Sequence, residues 1–245
     1  MALVHELERT GNWLFKRRSW LPILIIICAI ILMYLGNKSS IQFNAKRELF
    51  FLSVCMIGQI IRIITVGYTP RNTSGRNTVN GQIADELNFT GIYSLLRHPL
   101  YLGNFFMWLG PAMFLRSWWF TIVFSLVYWL YYERIMFAEE QFLRKKFGDL
   151  YDKWSGKVGS FVPGFKNYIP SPLHFSVRNV LKREHNSFFN IFVIFTFLDL
   201  IRNYIISGRL NISPMWLYLF VTGFVIWATI KIIHKRTDWL IVEGR

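Results

Sequence analysis

Arg97, His98 and Pro99 stand together just before the apolar run that begins at Tyr101, and Glu139 and Glu140 follow about forty residues later. A helix start leaves backbone N–H groups without partners and carries the positive end of the helix dipole. Arg97 and His98 at such a start suit an anion, with Pro99 in the first turn, where its missing N–H costs nothing. Tyr101 adds a phenol, and Gly103 a place where a backbone or ligand can approach closely. Taken alone, Arg-His-Pro is equally an interfacial helix start, and Glu139-Glu140 equally a solvated pair. Together they place a cationic cluster opening one helix and carboxylates closing the next at the same end of both. A pocket with such opposite ends suits a zwitterionic cofactor. Glu133 and Arg134 lie roughly two turns deeper, where ionisable groups are expected to pair or face a cavity.

The elements that position these residues are long apolar blocks. The chain of 245 residues is 53% hydrophobic and 18% aromatic. Its apolar residues concentrate in Trp20–Leu35, Leu49–Val66, Tyr101–Leu115, Trp118–Phe137, Phe188–Ile206 and Met215–Ile233. Each block has roughly the length that crosses the hydrocarbon as a helix. The pattern predicts an all-α polytopic membrane protein with about six transmembrane helices, read as a single membrane domain over residues 1–245. With the N-terminus inside, inner segments carry 20 Lys and Arg against 5 in outer loops. That bias predicts cytoplasmic N- and C-termini. The net charge of +14 thereby becomes a membrane-surface feature, and no nucleic-acid partner is expected. Cys28 and Cys55 sit inside apolar blocks with no metal spacing, so no metal is expected.

Two polar segments fall on the predicted cytoplasmic side. Residues 67–99 begin as a loop rich in Gly, Asn and Thr, and 139–165 continue the fourth span as an amphipathic helix before turning extended. In the first, Arg71 and Arg76 stand among Thr, Ser, Gly and Asn. Guanidinium forks, hydroxyls and Gly N–H groups suit phosphate oxygens.

"RHPLYLG" followed by "EEQFLRKKFGDLYDKW" and Val162-Pro163 resembles the integral-membrane methyltransferases typified by isoprenylcysteine carboxyl methyltransferase, to which phospholipid N-methyltransferases are related. The matching positions are Arg97, His98, Pro99, Tyr101, Gly103, Glu139, Glu140, Leu143, Phe147, Gly148 and Tyr151, with Trp154 where a tyrosine is usual. The resemblance covers residues 88–165, the methyltransferase core motifs. The two additional C-terminal transmembrane helices, 188–233, lie outside it. It implies S-adenosylmethionine as cofactor, bound from the cytosol by His98, Pro99, Tyr101, Gly103, Glu139 and Glu140, and a membrane lipid as substrate. Methyl transfer is an in-line displacement, so alignment and exclusion of water are the main demands on the protein.

The loop containing "GRNT", joined to "LNFTGIYSLLRHPLYLGN", is similar to bacterial enzymes that methylate the 1-phosphate of lipid A. This implies a lipid-phosphate acceptor held by Arg71, Arg76 and Arg97, in a bacterial inner membrane. The alternatives are a prenylcysteine carboxylate, a phospholipid amine, or the chemistry of NADPH-dependent sterol-type membrane reductases. Those reductases share RHPxY but carry Asn where Leu100 stands.

Overall fold

The computed structural model describes residues 3–17, 21–36, 41–70, 73, 77–78 and 81–245. Eight α-helices occupy most of this length: α1 (Leu3–Lys16), α2 (Leu21–Leu35), α3 (Ala45–Tyr68), α4 (Pro99–Phe114), α5 (Trp118–Phe147), α6 (Asp149–Ser155), α7 (Val177–Ser207) and α8 (Pro214–Arg236). A two-residue antiparallel ladder, Asn77–Thr78 with Gly81–Gln82, interrupts the α3–α4 connection. The protein is an all-α polytopic membrane protein, and each of the six apolar blocks is helical. By length and composition α3, α7 and α8 are sufficient to cross a membrane. The 16 residues of α4 reach only about 24 Å, and the many Trp and Tyr residues of α5 lower its hydropathy.

Side-chain oxygens start three of the long helices. Asn44 caps α3 through the Arg47 N–H, Ser117 caps α5 through that of Phe120, and Ser176 caps α7 through that of Asn179. Each satisfies one of the donors a helix start leaves open. Gly148, at φ 53° and ψ −128°, separates α5 from α6 with a backbone conformation that only glycine adopts readily.

The bundle is built around α3, which packs along α4 and also touches α7; α4 joins α5, and α7 pairs with α8. The α3–α4 seam depends on missing side chains. A Cβ at Gly58 would run into the Gly103 carbonyl and come within 2.8 Å of the Met107 nitrogen, while one at Gly110 would meet Cys55 Sγ at 2.5 Å. Gly103 was expected beside a cofactor; its bare face instead meets Gly58 and, at 2.7 Å, Arg62 Cγ. Its role is helix packing.

Helix α1 is an addition to the six predicted helices. Leu7, Gly11, Leu14 and Phe15 form its packed side, and Trp13 stays exposed with the Arg17 guanidinium 4.2 Å over its ring. Gly11 lets α1 cross α5 closely at Arg134 and Ala138. Glu133 and Arg134 are exposed rather than buried, and Arg134 borders a pocket with Trp13 and Leu14 of α1.

Candidate active site

The start of α4 and the end of α5 bring the two sequence motifs together. His98 is the N-cap residue of α4. Its Nε2 donates to Glu140 Oε1 at 3.0 Å, and its Nδ1 lies 3.7 Å from Glu139 Oε2. The imidazole is buried and stacks on Tyr101 with ring centres 5.6 Å apart. Tyr101 Oη donates to Glu139 Oε2 at 2.8 Å. Behind it, Tyr128 Oη donates to the Tyr101 carbonyl at 2.8 Å, and Tyr132 packs against both rings. The aromatic layer fixes the first turn of α4, and with it the imidazole and phenol.

Arg97 is committed to the protein. Its Nε donates to Glu140 Oε1 at 2.9 Å, and Nη1 to the carbonyls of Ser155 and Val158 at 2.7 and 3.0 Å. Nη2 reaches the Ser160 hydroxyl. The N–H groups of Arg97 and His98 bond the carbonyls of Gly159 and Ser160. Arg97 thus pins the segment after α6 across the start of α4. It does so while lining the same cavity as His98 and Glu139. Burial tends to raise the Glu140 carboxyl, but the hydrogen bond from His98 and the charges of His98 and Arg97 outweigh it and hold it below the usual carboxylate range. The buried Tyr151 phenol is pushed up, by burial first and the Glu140 charge next, and remains neutral.

These residues border a cavity of about 300 Å³, at the lower end of the range for small-molecule sites. Glu139, His98, Pro99 and Tyr101 line it, whereas Glu140 stands behind them. Phe15, Leu87, Phe142 and Trp154 supply apolar surface, and Asn88 and Asn104 neutral polar groups. Arg62, Arg97 and Arg183 bring guanidiniums to it, and Glu86 adds a second carboxylate to that of Glu139. Arg62 Nε and Nη2 each donate to Glu184 at 2.8 Å, and Nη1 to Asn104 Oδ1 at 2.5 Å. Thr73 also reaches the cavity; Arg71 and Arg76 lie outside the described residues.

Sequence reasoning missed Phe15, Arg183 and the Arg62–Glu184 pair. The signals available were an Arg inside a span and a Glu in an otherwise basic stretch, 122 residues apart. Among the described residues no cluster has the composition of a metal site.

The phospholipid methyltransferase family matches residues 49–150, from α3 to the start of α6. The chain is 43% identical over 74 residues to the protein-S-isoprenylcysteine O-methyltransferase of Schizosaccharomyces pombe, covering 30% of this chain and 31% of that one. It is 31% identical over 130 residues to a probable protein-S-isoprenylcysteine O-methyltransferase of Oryza sativa subsp. japonica, covering 51% of this chain and 68% of that one. Over 151 residues it is 29% identical to the nickel-cobalt-cadmium resistance protein NccN of Alcaligenes xylosoxydans xylosoxydans, covering 61% and 67%. The match thus spans under a third of the fission yeast protein and about two thirds of the rice and Alcaligenes ones. No solved structure matches the chain. With its paired motifs meeting at one cavity, the chain belongs to the family of integral membrane methyltransferases that includes the phospholipid and isoprenylcysteine enzymes.

Proposed function

We propose that this protein transfers a methyl group from S-adenosylmethionine to an anionic oxygen of a membrane lipid at the cytoplasmic surface. The observation that carries this reading is one cavity lined both by the carboxylates of Glu86 and Glu139 and by the guanidiniums of Arg62, Arg97 and Arg183. The donor set fits the cofactor. Glu139, kept in place by Tyr101, offers an oxygen to an ammonium or sulfonium, and Asn88 and Asn104 offer neutral hydrogen bonds. Phe15, Phe142 and Trp154 give it apolar cover. When bound, the cofactor supplies an electrophilic methyl on a cationic sulfur.

The remaining work falls to the chain. His98 and Arg97 neutralise Glu140 and hold the Ser155–Ser160 strap closed over the start of α4. The apolar lining excludes water. An acceptor that is already anionic needs no strong general base, and the guanidiniums in the lining orient it.

A lipid phosphate and a lipidated carboxylate share this chemistry. The Gly- and Thr-rich loop bearing Arg71 and Arg76 favours a phosphate such as the 1-phosphate of lipid A. The names of the fission yeast and rice relatives favour a prenylcysteine carboxylate. The bias of 20 basic residues to 5 supports cytoplasmic termini and a cytoplasmic cofactor mouth, in a bacterial inner membrane if lipid A is the acceptor.

Purified protein is expected to bind labelled S-adenosylmethionine and not NADPH. It should then label lipid A 1-phosphate and leave dephosphorylated lipid A unlabelled. Labelling of N-acetyl-S-farnesylcysteine instead replaces the phosphate reading with the carboxylate one. Labelling of phosphatidylethanolamine, an amine, overturns the anionic-oxygen reading. NADPH binding without S-adenosylmethionine binding overturns the whole assignment.

A further inference from the structure

We infer that Glu184 is a positioning residue of the active site, so that the C-terminal helix pair, which lies beyond the family-matched segment 49–150, is part of the catalytic unit and sets how the acceptor is held. The inference rests on the methyltransferase reading above. Glu184 sits in the first third of α7 with its side chain 5% exposed, and both of its oxygens are fixed on one guanidinium, Arg62 Nε and Nη2, at 2.8 Å. Gln59 Nε2 adds a third donor at 3.3 Å. Arg62 in turn keeps 17% of its side-chain surface accessible and lines the same cavity as Glu139.

A guanidinium carries five N–H donors in one plane. Glu184 and Asn104 take three of them here, which fixes the plane and its rotation about the cavity wall. A bidentate carboxylate does this in a way that one hydrogen bond cannot.

Attachment of α7 to α3 does not account for the pair. That attachment is supplied nearby by uncharged contacts: the Ser176 N–H on the Gly67 carbonyl at 2.9 Å, Asn179 Nδ2 on the Val66 carbonyl at 2.9 Å, and the Phe175 ring packed against Gly67. A buried ion pair is roughly neutral for stability beside apolar residues of the same volume, so stability alone gives little reason for one here. The same turn of α7 also brings Arg183 to the cavity. One helical turn from outside the matched segment therefore furnishes one cationic lining residue, Arg183, and the anchor of another, Arg62.

The test uses the full chain in detergent with lipid A 1-phosphate and N-acetyl-S-farnesylcysteine as separate acceptors. Glu184→Gln should raise the acceptor KM about tenfold on whichever acceptor the wild type labels. It should leave S-adenosylmethionine affinity within about twofold and kcat within about threefold. Glu184→Asp, which keeps the charge but sits one methylene short, should fall between. The exchange Arg62→Glu with Glu184→Arg should recover the thermal midpoint lost in Glu184→Gln but not the acceptor KM, because the guanidinium then projects from the wrong helix. An unchanged acceptor KM in both Glu184→Gln and Glu184→Asp overturns the inference and leaves the methyltransferase reading standing. So does recovery of KM in the exchange, or a parallel loss of cofactor affinity. A wild type that binds no S-adenosylmethionine removes both.

Discussion

Successive residues of a helix diverge by about 100°, and at Glu139 and Glu140 this places one carboxylate on the cavity and the other behind it. Glu139 faces the cavity with Tyr101 Oη as its donor. Glu140 receives Arg97 and His98 and stands at the centre of the strap. Different variants should therefore fail differently. Glu139→Gln should weaken S-adenosylmethionine about ten- to a hundredfold, the loss of one charge-assisted contact, with little change in thermal midpoint. Glu140→Gln should lower the midpoint and raise hydrogen exchange across Ser155–Ser160, with a smaller effect on cofactor affinity. Because the folded carboxyl of Glu140 is depressed, its contribution is complete above the ordinary carboxylate range and is lost as pH falls through its lowered value. Exchange of the strap in the wild type should thus be as slow at pH 5 as at pH 7, once corrected for intrinsic rates. In Glu140→Gln it should be fast at both. Equal cofactor loss in the two variants would contradict this division.

At the level of elements, close helix packing sets the distance between the cavity walls. Gly58 and Gly103 let α3 and α4 touch backbone to backbone, and Gly103 leaves room for the Arg62 stem. Gly58→Ala places a methyl against backbone atoms that cannot turn aside, so the helices must separate. Overpacking of this kind costs about 1–3 kcal/mol. A thermal midpoint lowered by several degrees, together with a raised acceptor KM, is expected; a wild-type midpoint would show that the seam is loose. Helix existence was legible in the sequence because the blocks are apolar enough to announce themselves. Helix α1 was not, since its polar and apolar faces average to neither core nor span, and its contribution of Phe15 to the cavity depends on how it crosses α5. The meeting of Arg97, His98, Tyr101, Glu139 and Glu140 was legible from the pairing of two motifs across one helical hairpin. Which glutamate faces the cavity was not, because that phase is set by packing against α4.

Across the whole molecule, α7 meets α3 at two levels. At one end Asn179 and Ser176 bond the Val66 and Gly67 carbonyls, and Arg62 meets Glu184 nearby. At the other, fully buried Glu48 and Asp199 share Arg202, and Trp216 Nε1 donates to Glu48 Oε2 at 2.5 Å. Ser213, which precedes α8, donates its N–H to Asp199 Oδ2 at 2.7 Å. Glu48 and Arg62 lie 14 positions apart on α3, about 21 Å along its axis, so the two clusters brace opposite ends of one helix pair. The sequence shows only isolated ionisable residues in apolar runs, and Asp199 three positions from Arg202; their partners across the helix pair, 122 and 154 residues away, follow no local pattern. The two ends should therefore be separable. Arg202→Gln leaves buried Asp199 without its cation and Glu48 with Arg116 alone, at 3.6 Å; breaking a buried pair costs about 3–5 kcal/mol, so the thermal midpoint should fall strongly. Sites this far apart and without shared partners contribute additively. Arg202→Gln should accordingly leave acceptor KM and cofactor affinity unaltered at temperatures where the protein remains folded, and its midpoint loss should add to that of Glu184→Gln. A double variant much less destabilised than the sum would mean that loosening either end already releases α7. In that case the outer cluster would also govern the acceptor wall, and Arg202→Gln alone would raise the acceptor KM.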